Sequence, residues 1–274
     1  MFTDKTIGIV GVGNMGEVLL RGLLTAETAD RAHLLATEVL EDRRSFIVDT
    51  YGIEVTNDNR SLAHRCDILV LAVKPQYIDQ VLADMAEAVD ESLLIVSIAA
   101  GITTERIGAA FGDKNVRIIR VMPNAPALVL EGASALFAGK NATEDDMQIA
   151  RGIFEPVGKT VVVQSEELMD VVTGLSGSGP AFVFMMIEAL SDAGVQLGLA
   201  RKVSNLLASQ TVFGAAKMFI KTGRHAGELR DLVATPGGTT FAGLRELERG
   251  TFRSTVMDAV EAASLKSKAL GQKK

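Results

Sequence analysis

The chain has 274 residues, 47% of them apolar and 23% charged, which is the composition of a folded protein with a substantial core rather than a disordered one. The formal net charge is −6 and no run of lysine or arginine forms a basic stripe, so nucleic acid is not expected as a partner. No apolar stretch is expected to reach the roughly 18 residues of a membrane span. The chain has a single cysteine, Cys66, and its start lacks the features of a signal peptide. Both observations predict a cytoplasmic protein.

Apolar runs of strand length alternate with helical patterns through about the first 160 residues. This alternation is typical of a mainly parallel sheet covered by helices. Strands are predicted at residues 6–10, 34–37, 54–56, 68–72, 94–98, 116–121, 133–138 and 160–163. Helices are predicted after Asn14, Asp42, Pro75 and Thr103, the last with a threonine as its cap.

After Val163 the strand pattern ends and the remaining residues have helical periodicity. The sequence therefore predicts an α/β domain at residues 1–163 and an all-helical domain at residues 164–274. The segment from Pro180 to Leu199 is apolar around most of its circumference, so it must be buried on several sides. An intertwined dimer interface would bury it more easily than one small helical domain.

The first predicted strand is followed at once by Gly11, Val12, Gly13, Asn14, Met15 and Gly16, a complete G-x-G-x-x-G motif. Gly11 permits a tight turn, Gly13 lets the backbone approach a pyrophosphate, and Gly16 allows helix and sheet to pack closely. The motif has a strand before it, a helix pattern after it and the acidic residue Glu38 at the end of the second strand. We therefore predict a Rossmann-type domain that binds a nicotinamide dinucleotide, although the glycines could serve a tight turn alone.

The form of the cofactor stays open at this point. Glu38 would accept hydrogen bonds from the adenosine ribose and would repel a 2′-phosphate, which favours NADH. Arg43 and Arg44 follow within a few residues and could bind that phosphate, which favours NADPH. All three residues could equally form a solvated helix start.

Two further strand ends point to the same crevice, because ligands of open α/β sheets bind at the carboxyl ends of the strands. One is the segment of Ala72, Val73, Lys74 and Pro75, and the other contains Ala99, Ala100 and Gly101. Lys74 is a candidate cofactor contact or an ordinary surface lysine.

Farther along, residues 235–240 (T-P-G-G-T-T) place several backbone amides and three hydroxyls ahead of a helix. This turn is a candidate seat for a small carboxylate, or an ordinary helix start.

Six motifs extend along almost the whole chain. They are the glycine loop, A-V-K-P-Q (72–76), R-V-M-P-N-A-P-A (120–127), G-L-S-G-S-G-P-A (174–181), P-G-G-T-T (236–240) and M-D-A-V-E-A-A (257–263). In these motifs the sequence resembles the pyrroline-5-carboxylate reductase family. The resemblance implies an oxidoreductase that uses NADPH or NADH to reduce the cyclic imine of 1-pyrroline-5-carboxylate to L-proline, the last step of proline biosynthesis.

The resemblance also implies the site residues. The family's dinucleotide contacts correspond here to residues 11–16, to Asn59, to residues 72–75 and to residues 99–101. Its substrate loop corresponds to Thr235, Gly237, Gly238, Thr239 and Thr240, whose backbone amides would hold the substrate carboxylate. Thr240 would lie beside the ring nitrogen as the catalytic residue, and Glu166 matches a position that faces the substrate amine. The family's helical domain forms an interlocked homodimer, and its dimers often assemble into a decamer.

The chain departs from the family pattern at three positions. Thr235 stands where serine is usual, His225-Ala226 replaces His-Pro, and Glu38 stands where members that use NADPH commonly have a small polar residue. The three histidines have no metal-ligand spacing, so no metal site is expected.

Two rival interpretations remain. A β-hydroxyacid dehydrogenase would need a lysine where Val183 stands, and a non-enzymatic dinucleotide-binding protein would have no use for the P-G-G-T-T turn.

Overall fold

The structure is a computed structural model that describes residue 2 and residues 4–271. The chain divides into two compact units. The first contains the residues up to Gly177 and resumes at Ala262, and the second spans Ser178–Glu261. The first unit holds the sheet and the second is helical.

Eight strands form one sheet in the first unit: β1 (Ile7–Val10), β2 (Leu34–Thr37), β3 (Glu54–Thr56), β4 (Ile68–Leu71), β5 (Leu94–Ser97), β6 (Arg117–Met122), β7 (Gly132–Ala138) and β8 (Gly158–Val162). Their order is β3-β2-β1-β4-β5-β6-β7-β8, and every neighbouring pair is parallel except β6 and β7. All eight predicted strands are present, and their ends differ from the predicted ones by two residues at most. The predicted fold class, a mainly parallel α/β domain followed by a helical one, is confirmed.

The central strands are buried on both faces because helices cover both sides of the sheet. Ile7, Ile9 and Val70 belong to one apolar cluster, whereas Val10 and Leu69 belong to the other. This burial on both sides explains why the strands are continuous apolar runs in the sequence. Next to Leu69, burial raises the pKa of the Cys66 thiol to about 12, so the thiol is protonated at neutral pH.

The helices of the chain are α1 (Asn14–Thr25), α2 (Glu41–Tyr51), α3 (Asn59–Arg65), α4 (Ile78–Met85), α5 (Thr104–Ala109), α6 (Glu144–Phe154), α7 (Leu168–Val172), α8 (Gly179–Gln196), α9 (Arg201–Thr222), α10 (Ala226–Val233), α11 (Thr239–Arg249) and α12 (Phe252–Gly271). Thr103 caps α5 as predicted, with its side chain accepting a hydrogen bond from the Arg106 amide. Helices α3 and α6 are additional to the predicted ones. Helix α6 begins with a capping box, in which the Thr143 and Asp146 side chains each bond the other's backbone amide.

The second unit leaves much apolar surface exposed within one chain. Phe184 is 64% exposed, Met185 73%, Leu206 66% and Ile220 76%. Soluble proteins rarely leave so many large apolar side chains without a partner surface. This pattern agrees with the sequence-based expectation that the apolar helix α8 belongs to an interface between subunits.

The expectation that no segment is apolar and long enough to span a membrane is wrong. The helical segment Leu168–Gln196 is 29 residues long and contains a window of 18 residues with a mean hydropathy of 1.3, which is long and apolar enough for a span. Glycine and serine interrupt it in the sequence, but the backbone continues through a π-helical stretch at Thr173–Gly177, so that the interruptions do not end the helix. Length and composition alone are weak evidence for a span, since the core helix of a soluble protein passes the same test.

The first unit is built from two separate parts of the chain. The sheet ends at Val162, yet the unit continues to Gly177 and includes the end of α12. The Ser267 hydroxyl donates a hydrogen bond to the Asp170 carboxylate over 2.6 Å. At Gly101 a Cβ atom would lie only 3.3 Å from the backbone nitrogen of Gly271. The last turn of α12 therefore packs against the carboxyl edge of the sheet.

Candidate active site

The strand order reverses at β1, which lies between β2 and β4. Backbone hydrogen bonds continue past the strand ends: the Gly11 amide donates to Thr37 O over 2.9 Å, Ala72 to Val10 O over 2.9 Å, and Ile98 to Leu71 O over 3.1 Å. The segments that follow β1, β2, β4 and β5 thus emerge side by side. This is the position at which open α/β sheets bind their ligands.

The glycine loop has the geometry that the sequence predicted. Gly11 has φ +88°, and a Cβ atom there would lie 2.8 Å from Cγ1 of Val73. At Gly16 a Cβ atom would lie 2.1 Å from the carbonyl oxygen of Gly11, a separation that no side chain can adopt. Residues 11–16 and 72–73 are therefore in direct contact, and the loop accepts only glycine at its two tight positions.

Gly13 is the N-cap residue of α1, and no side chain caps this helix. A Cβ atom at Gly13 would meet nothing within 4 Å. The first amides of a helix have no partner within the helix, so an anion can occupy the space and accept their hydrogen bonds. The open cradle and the uncapped amides fit the pyrophosphate of a dinucleotide.

Glu38 lies directly after β2, and its side chain folds back on its own turn. Oε1 accepts hydrogen bonds from the Val39 amide over 2.9 Å and the Leu40 amide over 3.2 Å. Arg44 Nη1 donates to the carbonyl oxygens of Glu38 and Val39, both over 2.9 Å. The turn that leads into α2 is therefore fixed by its own side chains.

A polar cluster that the sequence did not suggest lies beneath this turn. Arg43 donates from Nε to Val12 O over 2.7 Å, and its Nη2 forms an ion pair with Glu17. The Tyr51 hydroxyl donates to the other oxygen of Glu17 over 2.7 Å. Burial alone would raise the pKa of Glu17, but the hydrogen bonds from Tyr51 and Arg43 outweigh it and lower that pKa. The cluster ties the glycine loop, α1 and α2 together through an ionised carboxylate.

The other predicted cofactor residues lie at the same edge of the sheet. Asn59 begins α3, and its Oδ1 accepts a hydrogen bond over 2.7 Å from the hydroxyl of Thr37, the last residue of β2. Lys74 is exposed just beyond β4, while Ala99 is buried beyond β5. The structure therefore brings together, within the first unit, every segment that was predicted to hold the dinucleotide.

Glu166 lies in the first unit and is engaged by three donors. Its Oε1 accepts from the Thr104 amide over 2.7 Å and from Arg120 Nη1 over 3.1 Å, and its Oε2 accepts from the Thr104 hydroxyl over 2.8 Å. The Arg120 side chain is 5% exposed. This carboxylate therefore joins β6 and the start of α5 to the segment before α7. The partners of Glu166 lie 46 and 62 positions away from it in the sequence, so no local sequence pattern predicts these interactions.

The predicted substrate turn belongs to the second unit. Gly237 has φ +69°, and the Gly238 amide donates to Thr235 O over 2.9 Å, which closes the turn. Gly238 is the N-cap of α11, and no side chain caps that helix. Thr239 is exposed and Thr240 half-buried. The turn therefore presents uncapped amides beside two hydroxyls, as a carboxylate seat requires.

His225 has a local structural role. Its Nδ1 accepts a hydrogen bond from the Gly227 amide over 3.1 Å and caps α10. The Ala226 that replaces the usual proline is the first residue of that helix. Within residues 4–271 no group of three His, Cys, Asp or Glu side chains is arranged to hold a metal ion.

Comparison with known proteins adds independent evidence. A family model described as pyrroline-5-carboxylate reductase dimerisation matches residues 166–270, and one described as NADP oxidoreductase, coenzyme F420-dependent, matches residues 6–101. The pyrroline-5-carboxylate reductase of Methanosarcina acetivorans is 44% identical over 98% of this chain and 99% of its own length. The chain belongs to the pyrroline-5-carboxylate reductase family. The reductase of Arabidopsis thaliana, another member, is 41% identical over 97% of this chain and 95% of its own.

Solved structures of pyrroline-5-carboxylate reductases share the fold. The enzyme from Coxiella burnetii superposes with a TM-score of 0.93 at 37% identity, over 98% of this chain and 99% of its own. The enzyme from Plasmodium falciparum, solved with NADP bound, superposes with a TM-score of 0.88 at 35% identity, over 99% and 100%. The resemblance found in the sequence is confirmed. The interpretations as a β-hydroxyacid dehydrogenase and as a non-enzymatic protein are wrong.

Proposed function

We propose that the chain catalyses the reduction of 1-pyrroline-5-carboxylate to L-proline with a reduced nicotinamide dinucleotide. The observation that carries the proposal is that one chain of this family has both an intact glycine loop at residues 11–16 and a turn at residues 235–240 with uncapped amides and hydroxyl side chains. Relatives that match nearly their whole length are named for this reaction.

In this proposal the amides at the start of α1 hold the pyrophosphate, and the segments at residues 72–75 and 99–101 line the remainder of the cofactor site together with Asn59. The bound nicotinamide supplies the hydride. The protein contributes by holding the two reactants in the geometry of reaction, which can account for a large part of the rate.

The substrate carboxylate would be bound by the backbone amides of Thr239 and Thr240, with Thr235, Gly237 and Gly238 shaping the turn. Thr240 would donate a hydrogen bond from its hydroxyl to the ring nitrogen as that nitrogen becomes an amine. A hydroxyl with its ordinary pKa is a weak acid, so Thr240 positions and stabilises rather than protonating strongly. Glu166 would face the substrate amine while retaining its bonds to Thr104 and Arg120.

We further propose that the enzyme is a cytoplasmic homodimer and that its dimers assemble into decamers. The division into a dinucleotide-binding domain at residues 1–163 and a substrate and dimerisation domain at residues 164–274 belongs to the same proposal. It is supported by the dimerisation model that matches residues 166–270 and by the apolar surface of the second unit.

The function is tested by oxidation of NADH and of NADPH in the presence of 1-pyrroline-5-carboxylate. We expect Thr240→Ala to lower kcat by about 100-fold, the lower range for a lost proton-transfer or hydrogen-bonding group, with cofactor affinity nearly unchanged. Thr240→Ser keeps the hydroxyl and should recover most of the rate. An unchanged rate in Thr240→Ala would remove Thr240 from the mechanism, and a wild-type protein that oxidises neither cofactor would overturn the function.

A further inference from the structure

We infer that this enzyme binds NADH in preference to NADPH and that Glu38 determines the preference. The inference rests on the proposed function, because it concerns the cofactor of that same site. The two cofactors differ only by the phosphate on the adenosine ribose, which carries a charge of roughly −1.5 to −2 at neutral pH. The residues around the end of β2 therefore decide between them.

Glu38 stands at the position from which a Rossmann fold contacts this ribose. Strand β2 pairs in register with β1, with Thr37 opposite Val10, and the Gly11 amide donates to Thr37 O. The carboxylate thus follows directly after the strand that borders the glycine loop. A carboxylate here accepts hydrogen bonds from ribose hydroxyls and repels a phosphate.

The carboxylate is held in place by its own turn. Oε1 accepts the Val39 and Leu40 amides, so these two donors are already satisfied and are not open to a phosphate. Among the residues that the structure describes, none donates to Oε2, which leaves that oxygen open to a ribose hydroxyl. The turn therefore presents a fixed negative charge where NADPH would place a second one.

Arg43 is turned away from a role in phosphate binding. Its guanidinium is bonded to Val12 O and paired with Glu17, and it lies 5.0 Å from the centre of the Phe46 ring. The two charged side chains of the pair are only 26% and 25% exposed. To reach a phosphate, Arg43 would have to leave a half-buried carboxylate without its partner, which is costly.

Arg44 is the cation that could still oppose the preference. Its Nη1 is occupied by the carbonyl oxygens of Glu38 and Val39, which fixes the turn, but the described part of the chain provides no acceptor for Nε or Nη2. Its guanidinium is bonded to the backbone of the turn that carries Glu38, so the negative charge of the Glu38 side chain opposes its attraction for a phosphate. We therefore expect Glu38 to outweigh Arg44 in the choice between the two cofactors.

The test is a direct titration of the full-length protein with NADH and with NADPH, followed by the fluorescence of the reduced nicotinamide at constant ionic strength. We expect the Kd for NADH to be lower than that for NADPH by about tenfold or more. Glu38→Gln keeps an acceptor for both amides and removes the charge. It should shift the ratio of the two dissociation constants toward NADPH by about tenfold.

Glu41→Gln is the matched control, because Glu41 is an exposed carboxylate three residues later with no hydrogen bond among the described residues. It should change the ratio by less than about twofold, since exposed charges are well screened. Tighter binding of NADPH by the wild type, or equal shifts in the two variants, would overturn the inference while leaving the proposed function intact. If the protein binds neither cofactor, the inference and the proposed function both fail.

Discussion

At the scale of single residues, the glycines of the glycine loop differ sharply in the atoms that surround them. A Cβ atom at Gly16 would lie 2.1 Å from the Gly11 carbonyl oxygen, whereas one at Gly13 would meet nothing within 4 Å. Gly16 is required by the packing of the protein itself. Gly13 is required only if another molecule approaches the backbone there.

This contrast predicts opposite behaviour for two alanine variants. Gly16→Ala should lower the free energy of unfolding by about 1–3 kcal/mol, because the backbone must move to relieve the overlap. Gly13→Ala should unfold like the wild type but bind the cofactor about tenfold more weakly or worse, since its methyl group would occupy the pyrophosphate cradle. Denaturant unfolding and cofactor titration measure the two effects. A Gly13→Ala protein with unchanged affinity would contradict the proposed position of the pyrophosphate.

At the scale of the elements, Asp146 stabilises the start of α6 in two ways. It completes the capping box with Thr143, and it forms an ion pair of 2.6 Å with Arg117, a residue of β6. The Asp146 side chain is 1% exposed, whereas that of Arg117 is 28% exposed. The Asp146 carboxylate therefore both fixes α6 to the sheet and takes part in capping the start of the helix, where backbone amides have no partner within the helix.

We expect Asp146→Ala to cost about 2–3 kcal/mol in the free energy of unfolding, below the usual range for a fully buried pair because Arg117 reaches solvent. Thr143→Ala removes a cap alone and should cost about 1 kcal/mol. Denaturation by urea separates the two values. Equal losses in the two variants would mean that the ion pair contributes nothing beyond the cap.

The strands could be predicted from the sequence because a strand buried on both faces is a nearly continuous apolar run, as in I-L-V-L of β4 and the first three residues, L-L-A, of β2. The glycine loop was predictable because its spacing encodes a local turn. Helix α3 and the capping box of α6 carry only short local signals. The hydrogen bonds of the Glu38 side chain could not be predicted because they depend on its orientation, and the ion pair of Arg43 could not be predicted because its partner, Glu17, lies 26 positions away in the sequence.

At the scale of the whole molecule, the exposed apolar side chains of the second unit predict that this region forms the interface of a homodimer. Met185→Glu places a charge at a side chain that is 73% exposed in one chain. It should shift the protein from dimer to monomer, because the charge would be buried in the interface without a partner. Sedimentation velocity measures the change in mass.

Val48→Glu is the control, because Val48 lies on α2 outside residues 166–270 and is 40% exposed. It should leave the dimer intact. A Met185→Glu protein that remains dimeric would place the interface on another face of the second unit.

The contact between the end of α12 and Gly101 has a consequence for biosynthesis. A nascent chain emerges from the ribosome in order, and domains generally fold as units during synthesis. Here the strands are finished long before residues 262–271 exist, and a whole helical unit is translated in between. The edge of the sheet at Gly101 thus acquires its contact with α12 only after translation has passed the last helix.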